Sequence, residues 1–96
     1  MNATNLRRIF DTDLKIECCF AIGNDSKTLN EITLDVSLKE GVKRNRETVY
    51  RSLESLVKFE LLEKYYDKTL KKIRYRLRFK EVKIDFVNGT ITTTEV

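Results

Sequence analysis

Histidine, proline and tryptophan are absent from this sequence, and glycine occurs only three times. Without histidine the chain cannot hold a Ser-His or Cys-His nucleophile pair, an H-E-x-x-H zinc site or a zinc finger with histidine ligands. None of Gly23, Gly41 and Gly89 belongs to a phosphate-binding G-x-x-x-x-G-K-[ST] or G-x-G-x-x-G loop. We therefore expect no catalytic residue, no metal and no cofactor, and the chain is not predicted to be an enzyme.

Long apolar segments are also missing. The longest uninterrupted run, Cys18 to Ile22, has five residues, whereas a membrane-spanning helix needs about 20. No secretory leader is expected, because Arg7 and Arg8 are followed by acidic residues and not by an apolar stretch. The sequence thus predicts a cytoplasmic protein without a membrane partner.

The chain has the size and composition of one small folded domain. Its 96 residues are 41% hydrophobic and 35% charged, and the charged share exceeds the roughly 25% of an average globular chain. We therefore treat residues 1–96 as a single domain. The adjacent Cys18 and Cys19 cannot bridge each other without backbone strain. They are interpreted as two small hydrophobic residues of a buried helix; a redox sensor or an inter-subunit disulfide is the alternative.

Basic residues are concentrated in the middle of the chain. Residues 1–42 contain five Lys/Arg and seven Asp/Glu, residues 43–80 thirteen and five, and residues 81–96 one and three. The three segments therefore carry −2, +8 and −2, which gives the overall +4. A basic block within a mildly acidic domain is typical of a surface that binds a polyanion. An ordinary solvated surface is the plainer explanation.

Apolar spacing in the first two thirds of the chain predicts three helices. The first covers about 5–22, with a possible break at 11–13 where Thr12 is available as a cap. The second covers about 30–39, with Asn30 as N-cap and Gly41 as the stop. The third begins after Asn45, ends near Phe59 and is the most strongly amphipathic of the three.

Beyond the third helix the apolar period changes from 3.6 to 2, which predicts two hairpins. Residues 73–80 alternate strictly and form one strand, with 61–66 as its partner across the basic turn 67–72. A second hairpin is expected around Asn88-Gly89, the preferred pair of a two-residue type I′ turn. The alternation also places Arg74, Arg76, Arg78 and Lys80 in one row. Either a phosphate backbone or the acids Glu63 and Asp67 would neutralise that row.

The stretch Thr48-Val49-Tyr50-Arg51-Ser52-Leu53-Glu54-Ser55-Leu56 resembles the recognition helix of winged helix-turn-helix regulators, and Leu29-Asn30-Glu31-Ile32 resembles the start of their second helix. The resemblance covers roughly 12–80. It departs from the family at Glu60, where a turn glycine is common, and in the long separation of Thr33 from Val49. Ferric-uptake-type regulators share the T-V-Y-R stretch, but their metal sites rest on histidines. The resemblance implies an α+β fold of three helices, a β-hairpin wing and a C-terminal hairpin at 81–96.

This resemblance implies sequence-specific binding of double-stranded DNA by a transcriptional regulator. The third helix, about 45–59, would lie in the major groove and the wing on the backbone. Tyr50 has a plainer interpretation as an aromatic at the edge of the core, and Glu47 as the ion-pair partner of Arg51. The predicted DNA-binding residues are Lys43, Arg44, Arg46, Thr48, Tyr50, Arg51, Ser55, Lys68, Lys71, Lys72 and Arg74.

Two further interpretations of the sequence concern partners. A homodimer is expected, with the first helix or the apolar C-terminal hairpin as the dimer surface. Alternatively, the chain is a winged-helix subunit that binds another protein in a replication or transcription assembly. RNA binding is disfavoured, because the sequence shows no aromatic platform of the RNP type.

Overall fold

The chain folds into helices followed mainly by strands. A computed structural model describes residues 3–96, and within them the protein is α+β, with four helices and two small antiparallel sheets. The elements, in chain order, are α1 Ala3–Ile9, α2 Asp13–Ile22, β1 Ser26–Thr28, α3 Leu29–Glu40, α4 Arg46–Lys58, β2 Leu62–Asp67, β3 Lys72–Leu77, β4 Phe79–Asp85 and β5 Thr90–Glu95.

The N-terminal segment forms two helices, so the prediction of three helices in the whole chain is wrong. α1 ends at Ile9 and α2 starts at Asp13, which confirms the possible break at 11–13. Thr12 occupies the N-cap position of α2, but its side chain accepts no hydrogen bond from the helix. Instead, Lys15 reaches back to Asp11, with 2.7 Å between Nζ and Oδ1. Apolar spacing alone does not reveal the break, because the spacing continues unchanged across it.

α3 begins one residue earlier than predicted, and Thr28, not Asn30, is its N-cap. The Thr28 hydroxyl accepts from the Glu31 backbone N–H, and the Glu31 carboxylate accepts from the Thr28 N–H. This reciprocal capping box satisfies two backbone donors at once, which a lone asparagine cannot do. The predicted stop is confirmed, since Gly41 takes the left-handed conformation at φ 69°.

α4 has the predicted bounds and provides much of the core. The Asn45 side chain accepts from the backbone N–H groups of Glu47 and Thr48 at 2.8 and 3.3 Å. The amphipathic pattern buries one face of α4 completely against α2, α3 and the sheet. The buried core of the protein consists of Ile9, Leu14, Cys18, Ile22, Ile32, Val36, Val49, Leu53, Leu56, Leu61, Leu62 and Tyr75.

α4 ends in a Schellman motif whose left-handed residue is Glu60. The N–H of Glu60 donates to the Val57 carbonyl at 2.9 Å, and the N–H of Leu61 donates to the Leu56 carbonyl at 3.0 Å. Glu60 has a φ of 64°, a value that glycine adopts with little cost. The residue noted as a departure from the family pattern thus adopts a left-handed conformation that favours glycine.

The first sheet has the strand order β1-β3-β2, and all its pairs are antiparallel. The β2–β3 hairpin is the predicted one, and Glu63 lies opposite Arg76 in its register. The expectation that β3 continues to residue 80 is wrong, because the strand ends at Leu77 and a bend at Arg78 precedes β4. The Arg78 N–H there donates to the Leu61 carbonyl rather than to a continuing ladder.

β4 and β5 form the second sheet, joined by a four-residue turn at 86–89. The two-residue type I′ turn predicted for Asn88-Gly89 is wrong, since Asp85 pairs with Thr90 and only Gly89 has a positive φ in this turn. The Asp85 carboxylate instead accepts from the backbone N–H groups of Val87 and Asn88, both at 3.0 Å. That side-chain cap stabilises the longer turn.

Two further features of the fold are the burial of the cysteines and the length of the helices. Cys18 is fully buried and Cys19 half-buried, and both are free. Burial raises the pKa of both thiols to about 12. Their position agrees with small hydrophobic residues on a buried helix. Among residues 3–96, every helix is too short or too polar to cross a membrane.

Candidate nucleic-acid interface

α4 carries five of the eleven residues predicted to bind DNA. Arg46, Thr48, Tyr50 and Arg51 are exposed, and Ser55 is half-buried. Tyr50 is 41% exposed to solvent, so it lies at the edge of the core and its ring is accessible. The exposed face of α4 therefore offers guanidinium and hydroxyl donors to a ligand.

A cavity of about 300 Å³ separates α4 from the β2–β3 hairpin. Arg46 and Tyr50 of α4 form one side, and Lys72 and Ile73 of β3 form the other. Arg46 is held there by a hydrogen bond from its Nε to the Asn30 side chain at 2.8 Å. The structure therefore brings three of the predicted residues, Arg46, Tyr50 and Lys72, together around one cavity.

Asn30 and Ile73 were not predicted as site residues. Asn30 is exposed near the start of α3, and Ile73 is 40% exposed despite lying in an alternating strand. Their roles depend on how α3 and β3 approach α4. No local pattern in the sequence carries that information.

A buried tyrosine fixes the hairpin relative to α4. The Tyr75 hydroxyl donates to Glu54 at 2.9 Å, and Lys64 donates to the other oxygen of the same carboxylate at 2.6 Å. Burial first, and then the hydrogen bond to Glu54, raise the pKa of the Tyr75 hydroxyl. The neutral hydroxyl is therefore the form present at physiological pH. β2 and β3 are both tied to α4 through one carboxylate.

The turn of the β2–β3 hairpin is shaped by Asp67. Its carboxylate accepts from the backbone N–H groups of Thr69 and Leu70 at 2.9 and 3.0 Å, and from Arg74 Nε at 2.8 Å. The Leu70 N–H, followed by the Arg74 guanidinium, holds the pKa of Asp67 below its ordinary value. The carboxylate of Asp67 therefore holds the turn closed.

Lysines 68, 71 and 72 project from this turn and are exposed. Among the described residues 3–96, none of their ammonium groups lies within ion-pair distance of a carboxylate. Like charges placed so close together repel one another. These three residues, which we call the lysine turn, are therefore available for an anionic ligand.

The arginine row predicted beyond the turn is largely neutralised within the protein. Arg74 pairs with Asp67, Arg76 with Glu63 and Arg78 with Glu60. Arg74 also donates to the Ser26 carbonyl at 2.6 Å, which holds β1 against β3. The acids considered as an alternative to phosphate are thus the actual partners, and Arg74 has a structural role.

Two other predicted residues lie in the turn between α3 and α4. Lys43 is exposed there. Arg44 is half-buried; its Nη2 donates to Glu40 at 3.0 Å and its backbone N–H donates to the Ser37 hydroxyl. Arg44 therefore fixes the turn, whereas Lys43 remains accessible.

On α4 itself, the expected pair of Arg51 with Glu47 is present at 3.2 Å, and both side chains are well exposed.

Comparison with known proteins adds no identification. No protein-family model matches the chain, and no curated protein is significantly similar to it. The function is therefore inferred from the exposed face of α4, the lysine turn and the cavity lined by Arg46, Tyr50 and Lys72.

Proposed function

We propose that this chain is a winged helix-turn-helix protein that binds double-stranded DNA as a transcriptional regulator. The observation that carries the proposal is the placement of Arg46 and Tyr50 of α4 and of Lys72 of the lysine turn around one cavity, beside the exposed basic residues of both elements. The order α3, turn, α4, β2–β3 hairpin also agrees with the arrangement that the sequence resemblance implies.

In this proposal α4 lies in the major groove, where a single helix fits and base edges are distinct. Arg51 and Thr48 face away from the core and are the candidates for base contacts. The lysine turn lies on the phosphate backbone, which positions the protein without reading sequence. Arg46 sits between the two, and its hydrogen bond to Asn30 uses only one of the five guanidinium donors.

The ion pairs predict how strongly salt weakens the complex. Of the predicted site, Lys43, Arg46 and the lysine turn have no carboxylate partner among the described residues. Each phosphate contact contributes about −0.9 to the slope of log K against log salt. Five such contacts give a slope of about −4 to −5. The thirteen basic residues of 43–80 would suggest a much steeper one.

Fluorescence anisotropy with duplex DNA at several salt concentrations tests this proposal, with random and selected sequences side by side. Replacing Lys68, Lys71 and Lys72 by alanine should flatten the slope by about 3 and weaken all duplexes alike. Lys83→Ala on β4 is the matched control, because it removes one exposed lysine remote from the helix face. Absence of binding at low salt, or equal effects of the two variants per charge removed, would contradict the proposal.

A protein-binding function is the second candidate, and one exposed stripe favours it. Leu34, Leu38 and Val42 follow one another at intervals of four residues along α3 and its turn, and each exposes more than half of its surface. Such a stripe fits an apolar partner surface. This function would be favoured if the protein does not bind DNA and if Leu38→Lys abolishes binding to a protein partner.

A cytoplasmic location and a homodimer belong to the DNA-binding proposal.

A further inference from the structure

An apolar groove lies on the side of the protein that carries α1, α2 and the start of β4. It has a volume of about 430 Å³. Phe10, Cys19 and Phe20 line one wall, and Leu77, Phe79 and Val82 line the other. Phe20 is 65% exposed. The groove is therefore an open apolar surface that the chain's own side chains only partly cover.

The β4–β5 hairpin extends from this groove as an arm. Phe79, at the start of β4, packs against the core. Beyond it, within residues 3–96, β4 and β5 pair mainly with each other and make at most slight contact with other elements. At its tip Phe86 and Val87 are 89% and 94% exposed. The Asp85 cap fixes the turn that presents them. An isolated two-stranded hairpin is marginally stable in water, so this arm needs a surface to pack on.

The tip of the arm cannot fill the groove of its own chain. Val82 lies in the groove wall, and Phe86 follows it four residues later. At about 3.4 Å per residue, the strand carries the tip about 14 Å away from the groove. A paired β-strand does not bend back over that length. The paired strands keep the apolar tip and the apolar groove of one chain apart. The tip can therefore contact a groove of this kind only on a second copy of the chain.

Charge and area both favour a second copy as the occupant. Residues 81–96 carry −2, so the arm is unsuited to DNA. Phe20, Ile84, Phe86 and Val87 expose on the order of 500 Å² of apolar side chain per chain. A two-fold interface uses that surface twice, giving about 1,000 Å², which is the lower bound for a specific protein interface.

We propose that two copies of this chain dimerise by exchanging their arms, with the tip of each arm seated in the groove of the other copy. The two arms then lie antiparallel, and the same patch is used by both chains, as in a closed two-fold dimer. The proposal names the surface of the expected homodimer. It does not depend on DNA binding, because these residues lie outside the candidate interface.

Sedimentation equilibrium without DNA tests the proposal, with the wild type and Phe86→Lys compared over a range of concentrations. The wild type should form a dimer and Phe86→Lys a monomer. The unfolding free energy of that monomer should be unchanged, since Phe86 is almost fully exposed within one chain. Leu38→Lys is the matched control, because Leu38 is 71% exposed on α3, and it should dimerise like the wild type. A monomeric wild type, a dimeric Phe86→Lys or a monomeric Leu38→Lys would overturn the proposal.

A mixing experiment tests the exchange itself. Phe86→Lys lacks a functional tip but keeps its groove, whereas Phe20→Glu has a damaged groove and an intact tip. Phe20 is 65% exposed, and Lys39, which already pairs with Glu17 at 2.8 Å, lies 4.8 Å from its ring, so the fold tolerates a glutamate at this position. Each variant alone should be monomeric, and an equimolar mixture should associate more strongly than either variant does alone, although more weakly than the wild type, because it forms one intact contact of tip and groove in place of two. A mixture that associates no more than the separate variants would overturn the arm exchange.

Discussion

Replacing Glu60 by glycine should stabilise the protein, because Glu60 occupies the left-handed position of the Schellman motif that ends α4. An L-residue pays roughly 1–2 kcal/mol in this conformation. Glycine avoids that cost but has more freedom to lose on folding, which takes back about 0.4–1 kcal/mol. The pair that Glu60 makes with Arg78 is long, at 3.6 Å, and the Glu60 side chain is 79% exposed, so its loss costs only a few tenths of a kcal/mol.

These contributions leave a net gain of about 0.5 kcal/mol for Glu60→Gly, which corresponds to a rise in Tm of about 2–4 °C for a domain of this size. Glu60→Ala is the matched control, since it removes the same ion pair but keeps the Cβ atom. It should be slightly less stable than the wild type. Urea unfolding of the three proteins measures both differences. If the glycine variant is less stable than the alanine variant, the left-handed conformation is not the source of the cost.

Three further predictions concern the helix face, the hairpin turn and the cysteines. Arg51→Ala should weaken binding to a selected duplex by about 1–3 kcal/mol and relax its base preference, whereas an equal loss on random DNA would make it a phosphate contact; anisotropy measures both. The lowered pKa of Asp67 means that its contribution to stability is complete above the ordinary carboxyl pKa and is lost as the pH falls through the folded value. The acid-induced loss of stability in urea should therefore be smaller in Asp67→Asn, and an unchanged pH profile would refute this. Burial raises the pKa of both thiols to about 12. Cys18 and Cys19 should therefore react with a disulfide reagent at neutral pH at least about thirtyfold more slowly in the native than in the unfolded protein, because the smaller thiolate fraction is only partly offset by higher nucleophilicity; similar rates would contradict their burial.

Much of the helix and hairpin content could be predicted from the sequence, because it depends on local periodicity. α4 combines a strong apolar face with a side-chain cap at Asn45, and both signals lie within the helix itself. The β2–β3 hairpin is equally local, since its alternation and its turn are adjacent in the chain. The break before α2 was harder to place because the apolar spacing runs through it.

The candidate site was less predictable, because its residues depend on partners that are distant in sequence. Arg74 was expected to contact DNA, yet its guanidinium donates hydrogen bonds to Asp67 and to the Ser26 carbonyl. These contacts depend on the register in which β1, β2 and β3 pair. Arg44 was expected to face a ligand, yet it pairs with Glu40 across a turn whose shape no pattern specified. Exposure of the lysine turn, by contrast, follows from its place at the end of a hairpin.

Thr28 belongs to β1 and also caps α3, so no residue separates the strand from the helix. It is the last residue of β1, where it lies opposite Arg74, and it is also the N-cap of α3. A single inserted residue at this junction would either shift the register of β1 or separate the hydroxyl from the helix it caps. The junction therefore fixes the length of the chain there. We expect insertions to be tolerated far better at the exposed tip of the lysine turn, where adding a residue displaces no buried contact.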